Sequence, residues 1–362
     1  MGGQASAVLR AGILGTGAVA RLHAEAIAAR DDARLVAVSD VDAARSESFA
    51  QQFGAGSVPD LDALLASGID VLHICTPPAL HAEQAIAALD AGVSVILEKP
   101  PALTLAELDR ILEAEQRSSG RLAIVFQQRT GAAASTVKEL FARGAFGRPL
   151  VATCHTLWHR DTDYYAAPWR GTWQGEGGGP TLGLGIHQLD LLGYLLGEWS
   201  TVSGALWRLE RDIETEDTSV ATITFEAGTV ASVVTTVLAA RQTSHVRIDA
   251  EFATVEVEHL YGHAREHWRI TPAPGVPAER IAEWALDAAA DVPSGHDALL
   301  ADLYPALLSG ADLPPVVADP ARSLELVTAI YASAREGRTI TRADLTEPRL
   351  RGPLRSPVGG ES

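Results

Sequence analysis

Residues Val93 to Ala102 read VSVILEKPPA, and this stretch decides how the rest of the chain is interpreted. Its apolar first half, with two valines and an isoleucine, is long enough for a buried parallel strand. The pair Pro100-Pro101 cannot continue a strand. Glu98 and Lys99 are therefore predicted at the carboxyl end of the strand, where open α/β sheets bind their ligands.

Lys99 is an unusual residue for this sequence. Of the 29 basic residues, only Lys99 and Lys138 are lysine. An ammonium group in a partly buried cleft can exchange a proton near neutral pH, whereas a guanidinium stays charged. The residues alone leave two roles open for Lys99: a catalytic amine, or a strand-end lysine paired with Glu98.

Composition and charge limit the classes of protein that are possible. A chain of 362 residues, 47% hydrophobic and 21% charged, predicts a globular protein of two domains. No apolar segment has the length of a membrane span, and residues 1–7 lack the features of a secretory signal. The net charge of -17 opposes binding to nucleic acid or to anionic membranes.

The two cysteines, Cys75 and Cys154, provide neither a disulfide framework nor zinc spacing. We therefore expect a cytoplasmic protein in a reducing environment, without a metal ion.

The first strand, Val8 to Leu14, runs into Gly15 to Ala20, which has the pattern G-x-G-x-x-A and opens a helix. Such glycines allow a tight turn and let backbone N-H groups approach a pyrophosphate. The next strand ends at Asp40, where a ribose-binding carboxylate belongs, and a role for Asp40 as the N-cap of the following helix is compatible with this one.

Strands and helices then alternate at short spacing, which predicts right-handed βαβ units and a parallel sheet. The further strands are expected at about 70–74, 93–97 and 122–126, with helices at about 79–91 and 105–116 between them. Five residues fall at the carboxyl ends of these strands and could touch one ligand: Gly15, Asp40, Thr76, Glu98 and Gln127.

The pattern changes after Arg129. The segment Trp158 to Trp173, WHRDTDYYAAPWRGTW, holds three of the seven tryptophans and two tyrosines. It could form a substrate wall suited to a carbohydrate ring, or a core plug or subunit contact. The glycine run Gly177 to Gly179 follows and could leave room for a bound ring.

A helix is predicted at about 182–196, with His187 and Asp190 on one face. His187 near the positive end of the helix favours a neutral imidazole, but a buried structural histidine is the other interpretation. Residues 201–270 read as successive strands of a broad sheet, which favours an oligomer. Two late helices, at about 296–308 and 320–335, are expected to pack back on the first domain, and 347–362 reads as a loose tail.

Together these motifs resemble the Gfo/Idh/MocA oxidoreductases, the group of glucose-fructose oxidoreductase and inositol dehydrogenase. The resemblance extends from about Val8 to Ile340. Its parts are Gly15 to Ala20, Thr76-Pro77 with His81, Glu98-Lys99-Pro100, Ile186 to Asp190, and the late helix with Ala329 to Ala334.

The resemblance implies an α/β protein: a Rossmann doubly wound parallel sheet followed by an α+β domain with an open, mostly antiparallel sheet. The domains are expected at 1–128 and 129–340, with a tail at 341–362. The implied function is NAD(P)-dependent hydride transfer at a secondary alcohol or ketone of a sugar, sugar derivative or cyclic polyol. A homodimer or homotetramer through the open sheet is the implied assembly.

The same resemblance assigns the site residues. Lys99 and His187 are the implied catalytic pair, with His187 as acid/base and Lys99 as the orienting cation, and Pro100 is often cis in the family. The predicted cofactor-binding residues are Gly15, Thr16, Gly17, Ala18, Val19, Asp40, Thr76, Pro77, His81, Glu98, Lys99 and Gln127. The predicted substrate-binding residues are Lys99, Tyr165, Trp169, Arg170, His187 and Asp190.

One position departs from the family pattern. Many members carry an aspartate four residues before the catalytic histidine, where this chain has Gly183. Either Glu176 or Asp190 could supply the missing carboxylate.

Three functions are consistent with these residues. The first is a dehydrogenase that uses NAD, because Asp40 repels a 2′-phosphate, although Arg45 keeps NADP possible. The second is a glycosidase that oxidises its sugar transiently with bound NAD. The third is a non-catalytic nucleotide- or sugar-binding regulator, which the presence of Lys99 and His187 disfavours.

Overall fold

The computed structural model describes residues 8–286 and 291–353, which fall into two units. The first unit comprises Met1–Ala102, Glu107–Gln127 and His296–Pro320, and the second comprises Leu103–Ala106, Gln128–Gly295 and Ala321–Ser362. The chain contributes Leu103–Ala106 to the second unit, enters it again at Gln128, returns to the first unit at His296 and re-enters the second at Ala321.

The first unit is built on a six-stranded parallel sheet whose order is β3-β2-β1-β4-β5-β6. Its strands are β1 (Leu9–Leu14), β2 (Ala33–Ser39), β3 (Gly56–Ser57), β4 (Val71–Ile74), β5 (Ser94–Leu97) and β6 (Leu122–Ile124). Its helices are α1 (Ala18–Ala28), α2 (Ala43–Phe53), α3 (Leu61–Ala66), α4 (His81–Asp90) and most of α5 (Leu105–Arg117).

This strand order reverses direction between β1 and β4, which are neighbours in the sheet. In doubly wound sheets the crevice at such a reversal, outside the carboxyl ends of the strands, is where ligands bind. All four residues of β4 are buried, as a central strand covered on both faces requires. The sheet topology therefore places the glycine turn after β1 at the edge of this crevice.

The second unit contains an eight-stranded sheet in the order β13-β12-β11-β7-β10-β9-β8-β14. All its pairs are antiparallel except β7 with β10. The strands are β7 (Pro149–His159), β8 (Trp199–Trp207), β9 (Thr218–Phe225), β10 (Val230–Thr236), β11 (Leu238–Ala250), β12 (Ala253–His259), β13 (Trp268–Pro272) and β14 (Ile340–Thr341).

The helices of the second unit are α6 (Ala132–Ala142), α7 (Trp173–Glu176), α8 (Ile186–Leu196), α9 (Ala278–Ala282), α11 (Arg322–Glu336) and α12 (Pro348–Arg351). Helix α11 packs on β8 and α8, and α8 packs on β7 and β11. Alternate residues of the strands are buried on one face of the sheet, as Val255 and Val257 are on β12. The predicted fold class is confirmed: a Rossmann sheet and a mostly antiparallel second sheet.

The two late helices belong to different units. Helix α10 (His296–Ser309) belongs to the first unit, where Leu299, Leu300 and Leu303 join the core beside α1. Helix α11 belongs to the second, in contrast to the expectation that both late helices return to the first domain. Its apolar stripe is buried against the second sheet instead.

One further expectation is confirmed with a refinement, and one needs correction. The predicted helix at 182–196 begins with a π turn, Thr181–Gly185, before α8. The segment expected to be a loose tail is ordered as far as the structure describes it, because Leu345 and Leu350 are buried. The rest of that tail, residues 354–362, and residues 1–7 lie outside the described part of the chain. None of the described helices has both the length and the hydropathy to cross a membrane.

Candidate nucleotide and substrate sites

The turn after β1 has the geometry of a phosphate cradle. Gly15 has a φ of +84°, and a Cβ there would lie 2.9 Å from the Cys75 carbonyl oxygen. Backbone conformation and close packing therefore both require glycine at position 15. Gly17 caps α1, and a Cβ built on it meets nothing within 4 Å. The first turn of α1, with Ala18 and Val19, has no acidic residue. Gly17 therefore leaves open space beside the positive end of the helix, where an anion such as a pyrophosphate is favoured.

Asp40, at the end of β2, is strongly hydrogen-bonded. One carboxylate oxygen accepts from the Thr16 amide at 2.7 Å and hydroxyl at 2.9 Å, and the other accepts from Arg45 at 2.5 Å and the Asp42 amide at 2.9 Å. Burial opposes ionisation, but these bonds outweigh it and lower the pKa of Asp40 to about 2. Asp40 is therefore a fixed anion beside the cradle.

His81 joins two loops at the same edge. Its ring nitrogens lie 2.9 Å from the Thr76 carbonyl oxygen and 2.8 Å from that of Pro100. The Lys99-Pro100 peptide bond is cis. His81 is buried, and burial lowers its pKa. His81 was predicted to bind the cofactor. In the structure its ring holds the backbone of the two loops that carry Thr76, Pro77 and Lys99.

Glu98 lies beneath this edge as a buried anion. Its Oε1 accepts from His23 Nε2 at 3.0 Å and from His296 Nε2 at 2.8 Å, and its Oε2 accepts from the Lys99 amide at 3.2 Å. Burial by itself would raise the pKa of Glu98, but the two histidine bonds hold it well below its ordinary value. Although predicted to touch the cofactor, the Glu98 carboxylate is placed against these histidines.

The hydrogen-bonded network extends away from Glu98. His23 Nδ1 lies 2.8 Å from His73 Nδ1, and His73 Nε2 lies 2.7 Å from the Tyr304 hydroxyl. Burial lowers the pKa of both His23 and His73, which favours neutral rings. If both rings are neutral and His23 donates to Glu98, the direction of the other hydrogen bonds follows: the Tyr304 hydroxyl donates to His73, and His73 donates to His23.

Among the residues that the structure describes, His23, Glu98 and His296 also have ligand atoms close enough, within 4.8 Å of one another, to hold a metal ion. Their N···O distances of 3.0 and 2.8 Å are those of hydrogen bonds. Tetrahedral zinc with bonds of about 2.0 Å would separate its ligand atoms by roughly 3.3 Å. The geometry therefore fits a hydrogen-bonded network, and the absence of a metal stays a prediction.

Lys99 and Gln127 complete the crevice edge. Lys99 is half-buried directly after β5, and Gln127 is half-buried in the 3₁₀ turn that follows β6. The first unit thus brings its predicted cofactor residues to the carboxyl ends of the strands, as the βα pattern predicts.

In the second unit, His187 lies in the first turn of α8 and is 7% exposed. Asp190, one turn further, accepts from Arg129 at 2.7 and 2.5 Å and from the Ser323 hydroxyl. This buried ion pair occupies the carboxylate and favours a structural role for Asp190 over substrate binding.

The aromatic segment forms a stack of alternating rings and guanidinium groups. Arg170 lies over Tyr164 at 4.0 Å and over Trp169 at 4.3 Å from the ring centroids, and Arg160 lies over Trp158 and Tyr164 at 4.7 and 5.1 Å. Such stacks hold the rings and charges rigidly. Tyr165 packs edge-on against Tyr164 at 5.0 Å.

The glycine run packs against protein, which corrects the expectation that it leaves room for a ring. A Cβ on Gly178 would lie 2.2 Å from the Tyr331 hydroxyl, and one on Gly179 would lie 2.2 Å from the Glu216 carbonyl oxygen. The Glu216 carboxylate accepts from the amides of Gly179 at 3.0 Å and Thr181 at 3.1 Å, and from Tyr331 at 2.9 Å.

Sequence reasoning missed three kinds of residue here: the network histidines His23 and His296, the loop anchor Glu216, and the ion-pair arginine Arg129. The one available signal was His23, a titratable residue on the apolar face of α1. Glu216 and Arg129 pair with residues far along the chain, which no local pattern reveals.

Comparisons with known proteins agree with this architecture. Residues 9–126 match the model of an oxidoreductase family with an NAD-binding Rossmann fold, and residues 134–256 match the GFO/IDH/MocA C-terminal domain. The D-apiose dehydrogenase of Paraburkholderia graminis is 30% identical over 350 residues, covering 91% of this chain and 88% of that protein.

The D-glucoside 3-dehydrogenase of Escherichia coli is 33% identical over 198 residues, so the chain matches about half (55%) of that relative's length. The WlbA dehydrogenase from Bordetella pertussis, solved with NADH and UDP-GlcNAcA, has a TM-score of 0.81 and 30% identity. That alignment covers 92% of this chain and 98% of the solved one. The predicted family and the NAD cofactor are confirmed: the chain belongs to the Gfo/Idh/MocA oxidoreductase family, and its first unit is an NAD-binding Rossmann domain.

Proposed function

We propose that the protein is an NAD-dependent dehydrogenase of a sugar, a sugar derivative or a cyclic polyol. The observation that carries the proposal is the crevice between β1 and β4, where the Gly15 turn, the anionic Asp40 and the Lys99 loop share one edge of the sheet. The match to a D-apiose dehydrogenase over 91% of this chain supports the substrate class. Bound NAD supplies the hydride acceptor.

In this proposal His187 takes the proton of the reacting hydroxyl and returns it in the reverse direction. Removing hydride from an alcohol carbon requires a base for that proton, and reduction of the ketone requires an acid. Lys99 supplies a positive charge where the substrate oxygen becomes negative. Tyr165, Trp169 and Arg170 form the proposed substrate wall.

NAD is proposed over NADP because Asp40 is ionised throughout the physiological pH range. A carboxylate at this position accepts hydrogen bonds from a ribose diol and repels a 2′-phosphate. The half-exposed Arg45 can leave Asp40 when a ribose binds, because its side chain is 49% exposed.

We also propose that the protein is a homo-oligomer and works in a reducing cytoplasm. The outward face of the second sheet carries exposed apolar side chains in register, with Val151 paired to Val230. A second copy packed on this face would cover them. Both cysteines, Cys75 and Cys154, are buried and reduced, which suits that compartment.

The test is a screen of free sugars, sugar acids, nucleotide sugars and inositols, following NADH absorbance with NAD and then NADP. We expect net NADH formation with at least one of them. Tight NAD binding without turnover of any of these classes would contradict the proposed activity.

Lys99 can be tested against its only lysine counterpart, Lys138, which lies in α6 with Nζ 5.3 Å from the Tyr194 ring centroid. We expect Lys99→Met to lower kcat by about 100-fold or more, because a charge at the reacting oxygen is lost. Lys138→Met should retain kcat, since it removes the same charge elsewhere. Equal losses of kcat in the two variants would contradict the role proposed for Lys99.

A further inference from the structure

We propose that Glu176 is the positioning carboxylate of His187. The inference rests on the proposed dehydrogenase function and names the group that holds the imidazole in its working orientation and tautomer. Gly183, which lies between these two residues in the sequence, brings them together on one side of the helix.

Gly183 and His187 share one face of the same helical segment. Four residues span close to one turn in either the π turn that holds Gly183 or the α-helix that holds His187, so side chains at 183 and 187 point to the same side of the segment. A Cβ built on Gly183 lies 4.0 Å from Glu176 Oε1. The Glu176 carboxylate thus lies over the glycine on the face that carries His187.

The carboxylate of Glu176 is fixed by the loop around it. Its Oε2 accepts from the Gly171 amide at 2.5 Å, and its Oε1 accepts from Arg170 at 3.2 Å. Arg170 is itself stacked between Tyr164 and Trp169, and the Glu176 side chain is 11% exposed. A rigid, partly desolvated carboxylate of this kind can accept the imidazole N-H that catalysis does not use.

Asp190, the other candidate carboxylate for His187, already forms a buried ion pair. Asp190 is 2% exposed, and its oxygens are held by Arg129 and Ser323. Moving Asp190 to the imidazole would leave the buried Arg129 guanidinium without its charge partner, which is costly. The structure therefore favours Glu176 of the two carboxylates.

The geometry provides a relocation test. An aspartate at 183 extends its oxygens roughly 2.4 Å from Cβ, into the region that Glu176 Oε1 now occupies. We expect Glu176→Ala to lower kcat by about 10- to 100-fold with little change in KM, the range found when an orienting carboxylate is lost. The double variant Glu176→Ala/Gly183→Asp should recover at least tenfold.

Two further variants separate position from simple stability. Gly183→Asp alone places two carboxylates together, which raises the pKa of one of them, so the acid limb of its kcat profile should move. Glu214→Ala is the matched control, because Glu214 anchors the same segment through the Trp173 amide at 3.1 Å without facing Gly183. A loss in Glu214→Ala equal to that in Glu176→Ala, or no recovery in the double variant, would overturn the proposal.

A second measurement does not depend on activity. Long-range ¹⁵N-¹H spectra of histidine-labelled protein with NAD bound report which nitrogen of His187 carries the proton. We expect the wild-type tautomer to be lost in Glu176→Ala and restored in the double variant, with NAD affinity unchanged. If no substrate is found but this pattern holds, the dehydrogenase assignment fails while the positioning role stands; an unchanged tautomer in all variants removes that role.

Discussion

Asp40 shows what a single residue contributes to this molecule. Its carboxylate is held by Thr16, Asp42 and Arg45, and the resulting pKa of about 2 keeps it charged. A helix cap and a ribose ligand are often alternative explanations of such a residue. Here the cap of α2 is Asp42, so Asp40 is released from that role.

Cofactor preference is therefore predicted to depend on this charge. Asp40→Ser should raise kcat/KM for NADP relative to NAD by about 100-fold, because one repulsive charge is removed beside Arg45. Titration of both cofactors by fluorescence gives the binding part of this change. Adding Arg45→Ala should cancel the gain, and a gain that survives that change would show that the guanidinium is not involved.

Buried histidines give the protein a predictable response to acid. Burial lowers the pKa of His259 to about 3 and that of His263, beside it, to about 4. Between these values and the ordinary value of about 6.5 only the unfolded chain binds the proton, so stability falls as pH falls. At pH 5 each of the two histidines should lower the free energy of unfolding by about 2 kcal/mol relative to its value at pH 7.5.

Urea unfolding at the two pH values measures this loss. His259→Leu should reduce the difference in the free energy of unfolding, whereas His159→Leu, at an exposed position, should leave it unchanged. The same difference in both variants would place the acid sensitivity elsewhere. The ionised Glu98 adds stability that is lost only at lower pH, because its pKa is depressed.

At the scale of elements, the glycine run before α8 packs tightly against the protein and fixes the start of the helix that carries His187. Gly178 and Gly179 lie against Tyr331 and Glu216 so closely that no side chain fits, and Glu216 binds the amides that begin the π turn. Burial raises the pKa of Glu216, although its hydrogen bonds oppose this. The position of α8 is thus set from α11 and from the loop before β9.

Two glycines of this region are predicted to behave differently. Gly179→Ala should destabilise the protein by about 1–3 kcal/mol, because its Cβ would overlap the Glu216 carbonyl. Gly183→Ala should remain within about 1 kcal/mol of wild type, since its Cβ meets only Glu176 among the described atoms, at 4.0 Å. Thermal unfolding of the two variants measures both effects, and similar melting temperatures would contradict the packing argument.

At the scale of the whole molecule, the second sheet has one face covered by α8 and α11 and one that the described residues leave open. Along the open face, Val151 pairs with Val230 and Val220 pairs with Val234. Four of its apolar residues are more than a third exposed: Val151, Trp207, Val220 and Val230. A broad face of this kind is more typical of a subunit interface than of free surface.

Val230→Glu should convert the proposed oligomer to a monomer, because it buries an unpaired charge beside Val151 in that interface. Light scattering after size exclusion measures the molar mass. Ser232→Glu on the same strand would be a second disruption, whereas Glu226→Ala in the turn before β10 should leave the mass unchanged. A wild-type monomer would refute the interface outright.

Much of this protein follows from its sequence because its strongest signals are local. The alternation of apolar strands and helices, the glycine turn at Gly15 and the proline pair after Lys99 each act over a few residues, and they were enough to predict the Rossmann sheet, its ligand edge and the family. The open second sheet could be predicted for the same reason, from the alternation along strands such as β12.

Only the tertiary structure decided how distant residues pair. It assigned Asp190 to Arg129, Glu98 to His23 and His296, and α11 to the second unit, and it placed Glu176 over Gly183. Apart from the contact of Glu176 with Gly183, which is local in sequence, these are electrostatic and packing choices between groups tens to hundreds of residues apart. Local pattern determines where a strand ends, whereas the partner of a buried charge depends on which other charges the completed fold brings within hydrogen-bond distance.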